Sequence, residues 1–491
     1  MPLWEIITLL FYLLYLAIAI YTTGVIIYRK SDPVKSLSWI VIILFLPYIG
    51  LIVYLLFGQN FRKRKIYNRK GVRDERVRRI MAKKQLNQFT ANYHLLPNNL
   101  KEVDKLITLN LRGSRSLLGV NSKISLYFTG KEALEMMYQA IEEAQKHIHL
   151  QSYIIEDDLI GNKFKDILIT KAKEGVEVRV IYDDVGCWSL SKEFKRSLIE
   201  NGIELLNFAP VKLPSLTSKI NYRNHRKILV VDGKKGFLGG VNIAERYYRE
   251  SAKSTWRDTH ICIEGESVSA LQSSFLLDRY FIINQQLKSR KKYHPIPLSQ
   301  NFELSTSQQG IYTQIITSGP DSDWADIMQS YFTAIVSAKK EIYIVTPYFT
   351  PNISILDAIK TASLGGVKVS LMLSEKSDTK IAQWSTISYA TELLEAGVKV
   401  YLFRKGFNHS KVISIDGRFS IIGSANMDNR SLEHNFEVTA IVYDSTIAQE
   451  VEEQFKRDVV QCRTLESSKW AKRSVKQKII ESFARLLSPL L

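Results

Sequence analysis

Three cysteines in 491 residues, Cys187, Cys262 and Cys462, are too few and too scattered for a disulfide framework, and none stands in a CxxC pair. Reduced thiols are the expectation, with neither disulfides nor a zinc site. The chain also lacks HExxH, a dense carboxylate cluster and a glycine-rich phosphate loop, which excludes the zinc-peptidase and P-loop classes. Acidic side chains run short: 49 against 67 Lys and Arg leave a formal charge of +18. Such a balance calls for anionic partners, either nucleic acid or an acidic membrane surface. The first residues lack the basic start, short apolar core and small-residue cleavage site of a secretory leader.

What the N-terminus does have is two long apolar runs, Leu3 to Tyr28 and Leu37 to Phe57, separated by RKSDPVK. A bilayer core needs about 20 helical residues, so both runs read as spans, with Trp4, Tyr28, Trp39 and Tyr54 near their ends and Pro47 and Gly50 placed to kink the second. From Arg62 to Lys84 twelve basic residues face only Asp74 and Glu75, a local charge of 12 − 2 = +10. By the positive-inside rule this places the large remainder in the cytoplasm, and the same segment suits anionic headgroups.

The central feature is a repeated stretch. Asn224 to Asn242, NHRKILVVDGKKGFLGGVN, returns as Asn408 to Asn426, NHSKVISIDGRFSIIGSAN. Each reads as a strand, a turn at Asp232-Gly233 or Asp416-Gly417, and a returning strand, with His225 and Lys227 (His409 and Lys411) on one face. The expected register sets Asn242 opposite His225 and Gly240 opposite Lys227, and Asn426 opposite His409 and Ser424 opposite Lys411. Each hairpin thus offers a His-Lys-Asn cluster suited to a phosphodiester. The imidazole attacks phosphorus or moves protons, the ammonium neutralises phosphoryl oxygens, and the amide donates to them. Small Gly240 and Ser424 would let the phosphate come close, while two lysines converging on it leave no need for a metal.

The duplication extends further. Helix Glu132 to Lys146 followed by HIHLQSYII matches Ala325 to Lys339 followed by EIYIVTPYF; KEGVEVRVIYDD answers GGVKVSLMLSE, and ENGIELLNF answers EAGVKVYLF. Alternation of this kind signals an α/β fold with mixed sheets. The expected division is 1–58 membrane hairpin, 59–120 basic juxtamembrane linker, 121–285 first lobe, 286–312 interlobe linker, 313–460 second lobe and 461–491 C-terminal amphipathic helix. In the last, Trp470, Ile479, Ile480, Phe483, Leu486, Leu487 and Leu490 fall near helical spacing among Lys469, Lys472, Arg473, Lys476, Lys478 and Arg485. That pattern reads either as an interfacial helix on anionic lipid or as a helix docked on the protein itself.

The paired HxKxxxxD signatures resemble those of the phospholipase D superfamily. The resemblance implies two lobes around a pseudo-twofold axis that share one active site built from His225, Lys227, Asp232, His409, Lys411 and Asp416. It also implies a carboxylate behind each imidazole, for which Asp258 and Glu437 hold the matching places. The motif aspartates are expected to hold their turns and not to carry protons. By analogy His225 is the nucleophile that forms a phosphohistidine and His409 the acid and base. The remaining histidines, His94, His147, His149, His260, His294 and His434, lack a repeated setting and read as scaffold. With the N-terminal hairpin, the LPYIGLIVYLLFG segment and the ESFARLLSPLL end, the whole chain is similar to the bacterial cardiolipin synthases. That implies phosphatidyl transfer between two phosphatidylglycerol molecules to give cardiolipin and glycerol, in contact with an anionic membrane and without nucleic acid or cofactor; homo-oligomer formation is left open. The competing readings are a phospholipase D-type hydrolase or another phosphatidyltransferase, a superfamily nuclease, and a non-catalytic lipid-binding scaffold.

Overall fold

The computed structural model describes residues 2–28, 33–57, 73–210, 222–249, 255–285, 291–296 and 310–488. Most of the expected interlobe linker, and the basic stretch before residue 73, lie outside these. The chain divides into a small N-terminal unit and a large body.

In the N-terminal unit, Leu3–Tyr28 is a single apolar helix of 26 residues, about 39 Å at 1.5 Å per residue and long enough to cross a bilayer. The second apolar run is not one continuous helix, and its break falls at Pro47, where a kink was expected. It forms Pro33–Phe45 and Ile49–Phe57, 13 and 9 residues long, interrupted at 46–48. Pro47 has no N–H to continue the ladder and Tyr48 takes a left-handed φ of +63°. The chain doubles back so tightly that a Cβ on Gly50 would stand 2.3 Å from the Ile42 carbonyl oxygen. Packing of Trp39 edge-on to Tyr54, with ring centroids 5.5 Å apart, closes the turn. Among the described residues one helix is therefore long and apolar enough to span a membrane.

In the body, residues 73–112, within the expected juxtamembrane linker, are largely helical and packed. Phe89, Leu100, Leu106, Ile107 and Leu111 are buried in the main core, and Gln85 exchanges two 2.8 Å hydrogen bonds with the Leu118 backbone. The strands of the first half are β1 (Leu118–Thr129), β2 (His147–Ser152), β3 (Glu177–Asp183), β4 (Glu204–Phe208), β5 (Ile228–Val231), β6 (Lys235–Gly239) and β7 (Thr255–Gly265). Those of the second are β8 (Ile311–Ser318), β9 (Glu341–Val345), β10 (Phe349–Thr350), β11 (Lys368–Ser374), β12 (Lys399–Phe403), β13 (Gly406–Asn408), β14 (Val412–Ile415), β15 (Phe419–Gly423), β16 (Met427–Asp428), β17 (Glu437–Tyr443) and β18 (Cys462–Thr464).

All but β10 and β16 join one sheet, in the order β18-β12-β11-β9-β14-β15-β17-β8-β1-β7-β6-β5-β2-β3-β4, with β13 paired to β7. Outward from its centre, the first half runs β1, β7, β6, β5, β2, β3, β4 and the second β8, β17, β15, β14, β9, β11, β12, the same order of equivalent strands. They meet through antiparallel β1 and β8, Leu118 opposite Gln314. Within each half β2-β3-β4 and β9-β11-β12 are parallel and the signature hairpins antiparallel. Helices such as Gly130–Glu142, closed by a Thr129–Glu132 capping box, cover the faces.

The hairpins pair one residue away from the expected register. Ile228 lies opposite Leu238 and Val231 opposite Lys235; Val412 lies opposite Ile422 and Ile415 opposite Phe419. Extending these sets Gly239 across from Lys227 and Gly423 across from Lys411. The reason is the turn: Asp232 and Gly233 (φ 54° and 66°), and Asp416 and Gly417 (φ 53° and 62°), are both left-handed, and a third residue completes each loop.

At the far end, helix Val475–Leu486 docks on Lys380–Ser388 with its polar side inward. Glu481 and Ala484 are buried, Glu481 pairs with Arg473 at 3.2 Å, and the Ser385 and Ser488 hydroxyls meet at 2.8 Å. Its apolar stripe points outward: Val475, Ile479, Phe483 and Leu486 are all exposed, the last by 74%.

Candidate active site

Both signatures enter their hairpins through a backbone contact with the opposite half. The His225 N–H donates to Phe436 O (2.9 Å) and the His409 N–H to Arg257 O (2.6 Å), while β13 pairs Asn408 with Arg257. The residue after each of these acceptors is a carboxylate, and this sets the side-chain pairing across the halves. Nδ1 of His225 lies 3.0 and 3.1 Å from the two Glu437 oxygens, and Nδ1 of His409 lies 2.8 Å from Asp258 Oδ2. An ionised carboxylate only accepts, so Nδ1 carries the proton and each Nε2 keeps its lone pair.

Burial brings the His225 imidazole down to about 4 against the raising pull of Glu437. His409 is lowered well below its ordinary value by burial and then by the Lys411 and Lys227 ammonium groups. Burial raises Asp258 to about 6 against the pull of Lys411. It works to raise Glu437 as well, but His225, Lys227 and Ser424 outweigh it and hold that carboxyl below its ordinary value. At neutral pH the resting site thus presents two neutral imidazoles on anionic supports, the state a nitrogen nucleophile requires. Lys227 and Lys411 are buried and each donates to the carbonyl of its own signature histidine. Burial lowers them to about 7 and about 8, because an ammonium group is poorly solvated in the interior.

Asp232 and Asp416 lie at the turns. The Asp232 carboxylate accepts from the N–H groups of Gln145, Lys146 and His147 at 2.7–2.9 Å, and Asp416 from those of Lys339, Lys340 and Glu341 at 2.7–2.8 Å. Each clamps the helix-to-strand turn preceding β2 or β9.

Asn242 and Asn426 line the cavity because β6 and β15 end at Gly239 and Gly423, beyond which strict alternation no longer governs their direction. Asn242 donates to Tyr247 Oη at 2.6 Å and accepts from the Ile154 N–H at 3.1 Å, which holds its amide in place. Gly240 and Ser424, expected beside the phosphate, stand instead behind the carboxylates. A Cβ on Gly240 would fall 2.0 Å from Asp258 Oδ1, and the Ser424 hydroxyl donates to Glu437. Their small size makes room for the groups that hold the imidazoles.

His225 and His409 open into one cavity of about 540 Å³, together with Tyr153, Arg223, Arg246, Trp256, Tyr348, Asp378 and Arg430. Of these, Tyr153 and Tyr348 hold equivalent places in SYIIE and PYFTP, and Arg246 and Arg430 each follow the signature asparagine by four residues. The duplication itself carried that signal. His147, His149 and His260 lie in the core, His149 stacked on Phe275 at 4.5 Å.

The description of the matching family model is cardiolipin synthase, phospholipase D-like domain, and it matches residues 137–275 and 331–459; residues 17–59 match a phospholipase D-nuclease N-terminal model. A cardiolipin synthase of Alkalihalophilus pseudofirmus is 39% identical over 473 residues, covering 95% of this chain and 91% of that one. The chain belongs to the cardiolipin synthase family of the phospholipase D superfamily. The major cardiolipin synthase of Bacillus subtilis, 36% identical, aligns over 98% of both chains. Among solved structures, a phosphatidylserine synthase from Haemophilus influenzae shares the fold at a TM-score of 0.59 and 15% identity, covering 80% of this chain and all of that one. Each family-matched stretch holds one signature and the carboxylate that serves the other: His225 with Asp258 in the first, His409 with Glu437 in the second.

Proposed function

We propose that the protein is a cardiolipin synthase that moves a phosphatidyl group from one phosphatidylglycerol to the terminal glycerol hydroxyl of another. The observation that carries this reading is the pair of imidazoles in one cavity, each with a free Nε2 and each held by the other half's carboxylate. One Nε2 attacks phosphorus and the P–O bond to glycerol breaks. The other imidazole, protonated once the phosphate is bound, gives its proton to the departing alkoxide. A second phosphatidylglycerol then loses its hydroxyl proton to that imidazole and attacks the phosphohistidine, and the P–N bond breaks. Lys227 and Lys411 neutralise the phosphoryl oxygens, and the Asn242 and Asn426 amides donate hydrogen bonds to them. The repeated strand order supports two lobes about a pseudo-twofold axis with the site between their signatures.

The enzyme works at the membrane. Helix Leu3–Tyr28 anchors it, the basic segment before residue 85 holds the body on the cytoplasmic side, and the outward apolar stripe of Val475–Leu486 lies in the interface among Lys469, Lys472, Lys476 and Lys478. Beside a bilayer the phosphohistidine meets abundant lipid hydroxyls, where a dissolved enzyme would meet mostly water.

The test is incubation of the purified full chain with labelled phosphatidylglycerol in vesicles, with and without chelator. Cardiolipin and free glycerol should appear in equal amounts and be insensitive to chelation. Phosphatidic acid as the main product would establish the hydrolase reading instead.

A further inference from the structure

Two phosphodiesters must occupy this site during one turnover, and the two lysines serve only the one that reacts. Three arginines line the cavity. Arg223 is engaged with Asp183 (3.4 Å) and the Ala209 carbonyl (2.9 Å). Arg246 is engaged with Glu156 at 2.6 Å and stacks over Tyr247 and Trp256. Arg430, on the short helix Asn429–Glu433, makes no side-chain hydrogen bond or ion pair with any of the described residues.

Arg246 and Arg430 hold the same place in the two repeats, yet among the described residues only the first forms an ion pair. Glu156 ends the segment Tyr153-Ile154-Ile155-Glu156, whereas the equivalent Tyr348-Phe349-Thr350-Pro351 ends in a proline, which can neutralise nothing. The duplicated cavity is therefore symmetric in its reacting groups and asymmetric in its arginines. The half-buried Arg430 guanidinium feels the charge of Asp428, but that carboxylate accepts from the Ser431 N–H, and no hydrogen bond joins it to the guanidinium among the described residues. Its fork of N–H donors matches two phosphate oxygens at once. Arg430 lines the same cavity as both signature histidines and Tyr153, whose ring stands edge-on to His225 at 4.9 Å.

Resting on the cardiolipin synthase reading, we propose that Arg430 binds the phosphodiester of the second phosphatidylglycerol, the one that supplies the attacking hydroxyl. It is thereby the residue that selects an anionic lipid over a neutral alcohol as acceptor. Free glycerol can also accept the phosphatidyl group, but it carries no phosphate and needs no such contact.

The two acceptors separate the proposal from the reading beneath it. The full-length protein, in phosphatidylglycerol vesicles, is assayed for cardiolipin formation and for incorporation of labelled glycerol into phosphatidylglycerol. Arg430→Gln should slow cardiolipin formation by roughly 10- to 100-fold, the range for losing a charged hydrogen-bond partner. Glycerol incorporation should change less than about threefold at that same scale, and Arg430→Lys should recover part of the cardiolipin rate. Equal loss of both reactions would place the guanidinium on the reacting phosphate or in folding and overturn the proposal, as would no loss of either. Failure of the unsubstituted protein to incorporate glycerol or make cardiolipin would instead sink the cardiolipin synthase reading itself.

Discussion

Replacing Glu437 with Gln should disable an imidazole that belongs to the other half of the molecule. The side chain is fully buried, receives the His225 Nδ1 proton at 3.0 Å and accepts from Ser424. The amide has nearly the same shape and still offers one oxygen to Nδ1, so what disappears is the charge. As His225 bonds to phosphorus or takes up a proton it becomes cationic. Two unit charges about 4 Å apart attract by about 4 kcal/mol at an effective dielectric constant of about 20. At about 1.4 kcal/mol per tenfold change in rate, that is a loss of roughly 10³ in kcat. Because the resting imidazole is neutral, the substitution removes a buried anion that had no full counter-charge on the ring, and the folded state should not suffer. The assay is single-turnover cardiolipin formation from labelled phosphatidylglycerol, with thermal unfolding recorded on the same preparation. Asp258→Asn should behave alike through His409. A loss below tenfold, or one expressed wholly in KM, would refute the reasoning, because the carboxylate would then not be stabilising charge that develops during the reaction.

Three further outcomes follow from the same geometry. Gly240→Ala should lose at least about 100-fold in kcat, because its Cβ would fall 2.0 Å from Asp258 Oδ1 and drive the carboxylate off His409; Gly24→Ala, with nothing within 4 Å, is the matched control. The pH profile of kcat/KM should fall as pH rises through 7 to 8, since the buried ammonium groups of Lys227 (about 7) and Lys411 (about 8) are charged below these values and lose that charge above them. A bound phosphate raises both, so the same limb in kcat should be displaced to higher pH; a kcat/KM flat to pH 9 would contradict the assignment. Phe483→Asp on the exposed stripe should reduce binding of the full chain to anionic vesicles without lowering the unfolding temperature, as this side chain is 67% exposed and holds nothing in the fold.

Local pattern was enough to read the strands and the turns. Apolar alternation and Asp-Gly turns are properties of a few consecutive residues, and the duplicated HxKxxxxD stretch picks out His225, Lys227, His409 and Lys411 without reference to anything distant. Asp232 and Asp416, which a motif alone would group with the reacting residues, each accept from three backbone N–H groups at a helix-to-strand turn. The same repeat sets Arg246 and Arg430 four residues past their asparagines.

Other features depended on what meets what across hundreds of residues. Which carboxylate serves which imidazole is decided by Phe436 and Arg257 receiving the signature backbones from the opposite half, a contact between segments 211 and 152 positions apart in the chain (436 − 225 = 211; 409 − 257 = 152). The places of Gly240 and Ser424 follow from that exchange, since only the folded molecule puts a carboxylate behind each of them. Pro47 and Gly50 marked the break in the second apolar run, but how closely Gly50 lets the two helical pieces approach is a distance of which hydropathy carries no record. The C-terminal helix turns its apolar stripe outward because its polar face found Arg473 and Ser385 to bind, a choice that periodicity alone cannot make. Short-range physics determined the residues and their local shapes; their partners were chosen by packing, because a side chain's energy depends on whatever surface the rest of the chain brings against it.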